Sequence, residues 1–317
     1  MIWILFIGLV LLFLALDLGV FNKNAHVISN KEAGIWTVVW VSVAMLFSVA
    51  IYFIYKNEWI ANVEGLTPSK AMIKYITGYL IELSLSVDNI FVIAVIFSSF
   101  KIPQKYQHRV LFWGILGAII FRAAMIIFGV TLINKFEWLT YIFGGFLMYT
   151  AIKMLFSGHE EGYNPKESFL YKQISKIIPV SKEIHKEHFF VRENGKRIAT
   201  PLLVALIIIE FTDILFALDS IPAILGITRD SFLVFSSNIM AILGLRSMYF
   251  FLANMLKKFE MLHYSLVVIL SFVGVKLILA GFDIEVEEWV SLVVIGASLL
   301  FGILLSLLSG KKNTEAE

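Results

Sequence analysis

The stretch Ile81–Phe91, IELSLSVDNIF, sits inside a long apolar run, between GYL and VIAVIF. It places Glu82, Asp88 and Asn89 where a lipid-spanning segment is otherwise greasy. A second stretch, Ile209–Pro222, IEFTDILFALDSIP, does the same with Glu210, Asp213, Asp219 and Ser220. A carboxylate at the bilayer centre costs about 3 kcal/mol on insertion scales. Forming a span requires none of that cost, so these acids read as a functional site facing the protein interior.

The surrounding chain supports the premise that these are spans. Of 317 residues, 59% are hydrophobic and only 16% charged, with a mean hydropathy of +0.85. Soluble domains are about one quarter charged. Many apolar runs reach the roughly 20 residues a bilayer demands, which makes this an all-α, multi-pass membrane protein. The absence of cysteine excludes disulfides, thiolate metal sites, iron–sulfur clusters and thiol catalysis. The N-terminal MIWILFIGLV lacks a basic n-region and a small-residue cleavage site, and reads as a retained first span.

Nine candidate spans follow, near residues 2–21, 34–55, 71–100, 110–133, 136–156, 201–226, 232–255, 262–281 and 286–308. They organise the chain as two N-terminal helices (1–56), a three-helix unit (71–156), a hydrophilic loop (157–200), a second three-helix unit (201–281), and a last helix with its tail (286–317). The loop reads as a short amphipathic element or a mobile segment. Basic residues collect in alternate connections: Lys23 and Lys31, then Lys101, Lys105 and Arg109, then the long loop, then Lys257 and Lys258, then Lys311 and Lys312. The connection before the last span is acidic, with Asp283, Glu285, Glu287 and Glu288. The positive-inside rule puts the N-terminus outside and the C-terminus in the cytoplasm.

The two units repeat one another. KFEWLTYIFGGFLMYTAIKMLF, from Lys135, lies over KFEMLHYSLVVILSFVGVKLIL, from Lys258, with Lys153 on Lys276. Upstream, Arg122 falls near Arg246, Glu82 on Asp213, and Asp88-Asn89 on Asp219-Ser220. Three spans per copy force the second to run the opposite way through the bilayer. Inverted repeats of this kind are typical of secondary transporters that bind at the midplane.

On a regular helix Glu82, Ser86 and Asn89 share a stripe, Asp88 lies about 100° from Asn89, and Glu210 and Asp219 fall on opposite faces. If all the acids serve one site, the helices must be broken there. Pro222 frees the carbonyl of Leu218, so unwound stretches are expected around Ser86–Asn89 and Leu218–Pro222. The donors are carboxylate, amide, hydroxyl and carbonyl oxygens, which suit Mg²⁺, Ca²⁺ and Mn²⁺ over Cu(I) and Zn²⁺. Close-set carboxylates make protons the natural co-substrate. The expected metal set is Glu82, Asp88, Asn89, Glu210, Asp213 and Asp219. Asp17, Ser86, Ser220, Arg122 and Arg246 are assigned support or gating, with Asp17 near the cytoplasmic entrance and the arginines as counter-charges in the empty state. The plainer alternative is an ion-pair network that ties helices together. Trp36, Trp59, Trp138 and Trp289 read as interface anchors, His185 and His188 as solvated loop residues, and Gly114, Gly117, Gly144 and Gly145 as close helix packing.

Three segments carry a family resemblance: ALDLGVF in the first span, IELSLSVDNIFV in the third and EFTDILFALDSIPA in the sixth. Together they resemble the TerC family, named for tellurium resistance, over nearly the whole chain. The resemblance implies a bacterial inner-membrane protein that exports Mn²⁺, with a fold similar to the lysine-exporter superfamily. It carries the family's acidic positions onto Glu82, Asp88, Asn89, Glu210, Asp213 and Asp219. Manganese comes from the resemblance alone; the residues point only to a hard divalent cation.

The expected activity is therefore Mn²⁺ export by a secondary transporter, with Mn²⁺ and protons as substrates, membrane lipid as surroundings, and no organic cofactor or nucleic-acid partner. Competing readings are a Ca²⁺ or Mg²⁺ exchanger and a membrane assembly or metal-delivery partner acting through the cytoplasmic loop. An intramembrane hydrolase is disfavoured by the lack of a nucleophile–base motif.

Overall fold

The computed structural model describes the chain except residues 17–27, 137, 157–170, 172, 175, 177, 182, 194–195, 254–261, 283, 285 and 315–317. For Val87, Asp88 and Phe91, among others, only the backbone is described. Nine long helices stand among the described residues: α1 (Ile2–Leu16), α2 (Asn30–Lys56), α3 (Pro68–Ser99), α4 (Gln104–Lys135), α5 (Leu139–Phe156), α6 (Pro201–Leu225), α7 (Ser231–Ala253), α8 (Leu262–Ala280) and α9 (Glu288–Thr314). Six of them are long and apolar enough to cross a membrane, and two more, near Ile2–Leu16 and Tyr264–Ala280, are apolar but shorter. At 32 residues each, α3 and α4 extend about 48 Å. That exceeds a hydrocarbon core of about 30 Å, so they tilt or protrude.

Local sequence sets the helix starts. Ser29 caps α2 by accepting the Glu32 N–H at 3.3 Å. Thr67 caps α3 by accepting the Lys70 N–H at 3.4 Å, with Pro68 in the first turn where its missing N–H costs nothing. Asp230 Oδ1 accepts the N–H groups of Phe232 and Leu233 at 2.9 and 3.2 Å and opens α7.

The helices pack as interlocking pairs. α3 lies against α7, α4 against α6, and α5 against α8, while α3 meets α6 and α4 meets α7 across the centre. α1 and α2 flank α7 and α3, and α9 flanks α8 and α3. The interior divides into apolar clusters rather than one core. One gathers Phe97, Phe100, Leu202 and Tyr249 at the end of the bundle where the long loop sits.

Two sequence expectations change. The long loop contains a β-hairpin, β1 (Phe190–Glu193) and β2 (Lys196–Ala199), paired antiparallel with Val191 opposite Ile198. Ile174, Val180, Ile184 and Phe189 of that loop pack onto the apolar cluster at the bundle end. Arg109 at the start of α4 pairs with Glu187 at 3.5 Å and lies over the Phe189 ring at 5.3 Å. The second change concerns the expected helix breaks, which are absent: α3 and α6 are each continuous. Pro222 lies inside α6 but only in its last turn, where it removes one N–H donor and leaves the rest of the ladder intact. A regular helix satisfies every other backbone group without water, which favours continuity in lipid.

Where α5 meets α8 the backbones nearly touch. A side chain on Gly144 would place its Cβ 2.7 Å from Ile278 Cγ1 and 2.9 Å from the Gly274 carbonyl oxygen, whereas Gly145, one residue on, faces open space. Gly144→Val is expected to lower the stability of the purified protein by about 1–3 kcal/mol through overpacking, with Gly145→Val near neutral. Thermal melting in detergent distinguishes them, and equal melting would refute the close contact.

Candidate functional site

A buried cation stands at the centre of the bundle. Arg122, on α4, is 1% exposed, too deep for its charge to stand alone. Its Nη1 donates to Glu82 Oε1 of α3, to Asn238 Oδ1 of α7 at 3.0 Å and to Ser220 Oγ of α6 at 3.4 Å. Its Nε and Nη2 form a fork on the Asp213 carboxylate of α6, at 3.3 and 3.0 Å. Fork geometry of this kind is what a guanidinium offers and an ammonium does not. Glu82 is itself 1% exposed. Its second oxygen accepts from Asn238 Nδ2 at 3.0 Å, and Ser86 Oγ lies 3.5 Å from the first. One guanidinium thus fastens four helices through two carboxylates, an amide and a hydroxyl.

The charges do not balance. Two carboxylates and one guanidinium, when all ionised, leave the cluster one positive charge short of neutrality. In a low-dielectric interior that shortfall is costly unless a proton or another positive charge offsets it.

Beside the cluster lies a cavity of about 20 Å³ between α3, α4, α6 and α7, lined by Asn89, Thr212, Asp213 and otherwise apolar residues such as Ile93, Leu111 and Phe216. A space of that size holds about one water-sized particle. Asn89 Oδ1 is buried and has no hydrogen-bond partner among the described residues. Thr212 and Asp213 both line this space, and the Thr212 hydroxyl donates to the Ile209 carbonyl at 2.8 Å. One turn earlier on α6, Glu210 presses its carboxyl group against Gly117 of α4, at a distance no Cβ would allow. Its Oε2 is likewise buried without a partner among the described residues.

The expected residues therefore divide. Glu82, Asp213, Ser86, Ser220 and Arg122 meet in the central cluster. Asn89 reaches the small cavity that Asp213 also lines, and Glu210 stands next to it. Asp219 faces away: its Oδ1 accepts from Thr150 Oγ1 of α5 at 3.1 Å, within electrostatic reach of Lys153. Continuous helices explain the split, because residues on opposite faces of α6 cannot serve one point. Arg246 is buried on α7. Asp17 lies outside the described residues, as does the side chain of Asp88. Among the described residues, no group of three or more histidine, cysteine, aspartate or glutamate side chains closes to metal-binding distance. In this conformation Arg122 occupies both Asp213 oxygens and one Glu82 oxygen, and Asn238 occupies the other.

Two participants escaped the sequence reading. Asn238 bridges Glu82 and Arg122, and its signal was a polar Ser236-Ser237-Asn238 run inside an apolar span. Gly117 makes room for Glu210; it was noticed only as a packing glycine.

Comparison with known proteins gives a consistent picture. Residues 67–314 match the integral membrane protein TerC family. An uncharacterized membrane protein of Myxococcus xanthus, STKORF319, is 48% identical over 98% of this chain and 92% of its own length. A membrane protein of Rickettsia bellii is 43% identical over 96% of this chain and 97% of its own length. The putative membrane-bound redox modulator Alx of Escherichia coli strain K12 is 42% identical over 89% of this chain and 87% of its own length. No solved structure matches the chain.

The cluster predicts strong non-additivity. Arg122→Met strands two buried carboxylates and is expected to cost about 3–5 kcal/mol of stability. Adding Glu82→Gln and Asp213→Asn to that variant removes the stranded charges and is expected to restore a large part of the loss. Thermal melting of the single, double and triple variants measures the coupling; additive losses would mean that the three groups do not act as a unit.

Proposed function

The chain belongs to the TerC family of integral membrane proteins, and from that premise we propose that it is a secondary transporter exporting Mn²⁺ from the cytoplasm. The observation that carries this reading is the single arginine held between Glu82 and Asp213 beside an ion-sized cavity. These two acids occupy matching positions in the two sequence repeats. The pairing of α3 with α7 and of α4 with α6 supports an inverted repeat, since exchange of the units maps one contact onto the other. With the basic loops inside, the N-terminus is extracytoplasmic and the hairpin cytoplasmic.

On this reading Arg122 holds the carboxylate oxygens that the cargo would take. An arriving divalent cation competes for the Asp213 and Glu82 oxygens. Asn89 Oδ1, the Thr212 hydroxyl and Glu210 offer further hard oxygens, a donor set suited to Mn²⁺, Mg²⁺ or Ca²⁺. Manganese among these rests on the family resemblance. Protons that take the cation's place on the carboxylates drive release and return.

A relative's name describes a redox modulator. Cysteine is absent here, so thiol–disulfide exchange is not open to this chain. The assembly-partner reading draws on the cytoplasmic loop. Because Ile174, Val180 and Phe189 cover the bundle end, deleting the loop would damage the fold itself. Surface substitutions on the hairpin are the cleaner discriminator.

Flux in proteoliposomes tests the proposal. Glu82→Gln and Asp213→Asn are each expected to lower Mn²⁺ flux about tenfold or more, since a lost charge-assisted interaction is worth about 1.5–3 kcal/mol. Asp88→Asn is expected to behave alike, and an opposing proton gradient to accelerate the wild type. Undiminished flux in both Glu82→Gln and Asp213→Asn would sink the site assignment. Flux of Ca²⁺ or Mg²⁺ in preference to Mn²⁺ would shift the substrate, and a rate indifferent to pH would remove proton coupling.

A further inference from the structure

Arg122 takes its partners from both three-helix units: Glu82 from its own, and Asp213, Ser220 and Asn238 from the other. The sequence gives each of these a counterpart. Glu82 corresponds to Asp213, and Asn89 corresponds to Ser220 at the same spacing. Arg122 corresponds to Arg246, and the residue eight before each arginine is Gly114 in the first unit and Asn238 in the second. Exchange of the units therefore turns the partner set of Arg122 into Asp213, Glu82, Asn89 and Gly114, with Arg246 as the arginine.

Three members of that exchanged set, Asn89, Gly114 and Asp213, line the small central cavity. So does Leu245, the residue next to Arg246 on α7. The cavity is thus the counterpart of the Arg122 pocket, at the place where the repeat assigns a second guanidinium. Two details fit that assignment. Asn89 is 4% exposed, and its Oδ1 is buried with no hydrogen-bond partner among the described residues, an acceptor that protein interiors rarely leave unused. Gly114, standing where the second unit has Asn238, has no side chain to fill the space. Arg246 is itself buried on α7 and engaged in interactions of its own in this conformation. At about 20 Å³, the cavity holds a water-sized particle and not a guanidinium. One arginine pocket is filled, and its counterpart is narrowed.

We propose that Arg246 is the alternate counter-charge of the site. When the carrier faces the other way, Arg122 withdraws and its pocket narrows, the small cavity widens, and the Arg246 guanidinium bridges Glu82 and Asp213. The inference rests on the transport reading above and on the inverted repeat within it. Its physical reason is charge. Two buried carboxylates need a positive partner in both facing states of an empty carrier, because a buried charge stripped of its partner is strongly destabilising. A single arginine on α4 would favour only the state that it bridges. Two arginines at matching positions bring the two states close in free energy, so that both are populated. The fork changes hands in the exchange. Arg122 holds both oxygens of Asp213 and one of Glu82; the exchanged arrangement gives Arg246 both oxygens of Glu82 and one of Asp213. Asn89 Oδ1 then accepts from Arg246 as Ser220 Oγ accepts from Arg122. Cargo displaces whichever arginine is in place. The simpler role for Arg246, an anchor between helices, predicts no opposition between the two arginines.

The lack of cysteine lets a single introduced thiol report on each end of the bundle. Ala71, in the first turn of α3, and Ala205, near the start of α6 beside the hairpin, are both fully buried and stand outside the site. Full-length Ala71→Cys and Ala205→Cys proteins in metal-free proteoliposomes would be labelled with N-ethylmaleimide, and the ratio of the two rates measured. Arg122→Gln and Arg246→Gln are expected to move that ratio in opposite senses, each about tenfold, the worth of one charge-assisted interaction. Arg122→Lys and Arg246→Lys keep the charge and lose the fork. They are expected to move the ratio in the same two senses by less, and they carry the comparison should a glutamine variant fold poorly. A shift in one common sense for both arginines, or a ratio indifferent to Arg246→Gln and Arg246→Lys, would overturn the exchange and leave Arg246 an anchor. Because no metal is present, this outcome is separate from that of the flux assay. Opposite shifts in a protein that moves no Mn²⁺ would keep the two-arginine exchange and discard the cargo.

Discussion

A charge cannot sit alone in the middle of a membrane protein, and Arg122 is the charge around which this one is arranged. Its cost is met only by partners on other helices: Glu82 from α3, Asp213 and Ser220 from α6, Asn238 from α7. Each of those positions is then fixed in height and in rotation about its helix axis. The apolar clusters fill the space between helices, yet apolar packing is permissive about register. The guanidinium is not, because its donors point in fixed directions.

The same constraint separates the acids. Continuous helices satisfy their own backbones, so side chains alone supply the polar chemistry of the interior. Residues that share a stripe can then meet, and residues on opposite faces cannot. Glu82 and Ser86 share a stripe on α3 with Asn89, and all three point to the centre or to the small cavity beside it. Glu210 and Asp219 are half a turn apart on α6, and they part company: one meets Gly117 of α4, the other Thr150 of α5. A site that used both at once would require α6 to unwind or rotate.

Much of this was legible before any coordinates. The anomaly of charge in an apolar run singled out Glu82, Asp213 and Arg122, which the structure brings together in one ion-paired cluster. The helices stand where the nine apolar runs placed them. What failed did so for physical reasons. The helix breaks were inferred by requiring every acid to serve one point, and the assumption rather than the wheel geometry was at fault. Pro222 seemed a breaker, but in the last turn it removes only one bond. The hairpin was missed although Asn194-Gly195 stands between its strands, a dipeptide favoured in two-residue turns; the charge of the loop drew attention away from its alternating Val191 and Ile198. Asn238 escaped because an uncharged amide carries too small a penalty to stand out.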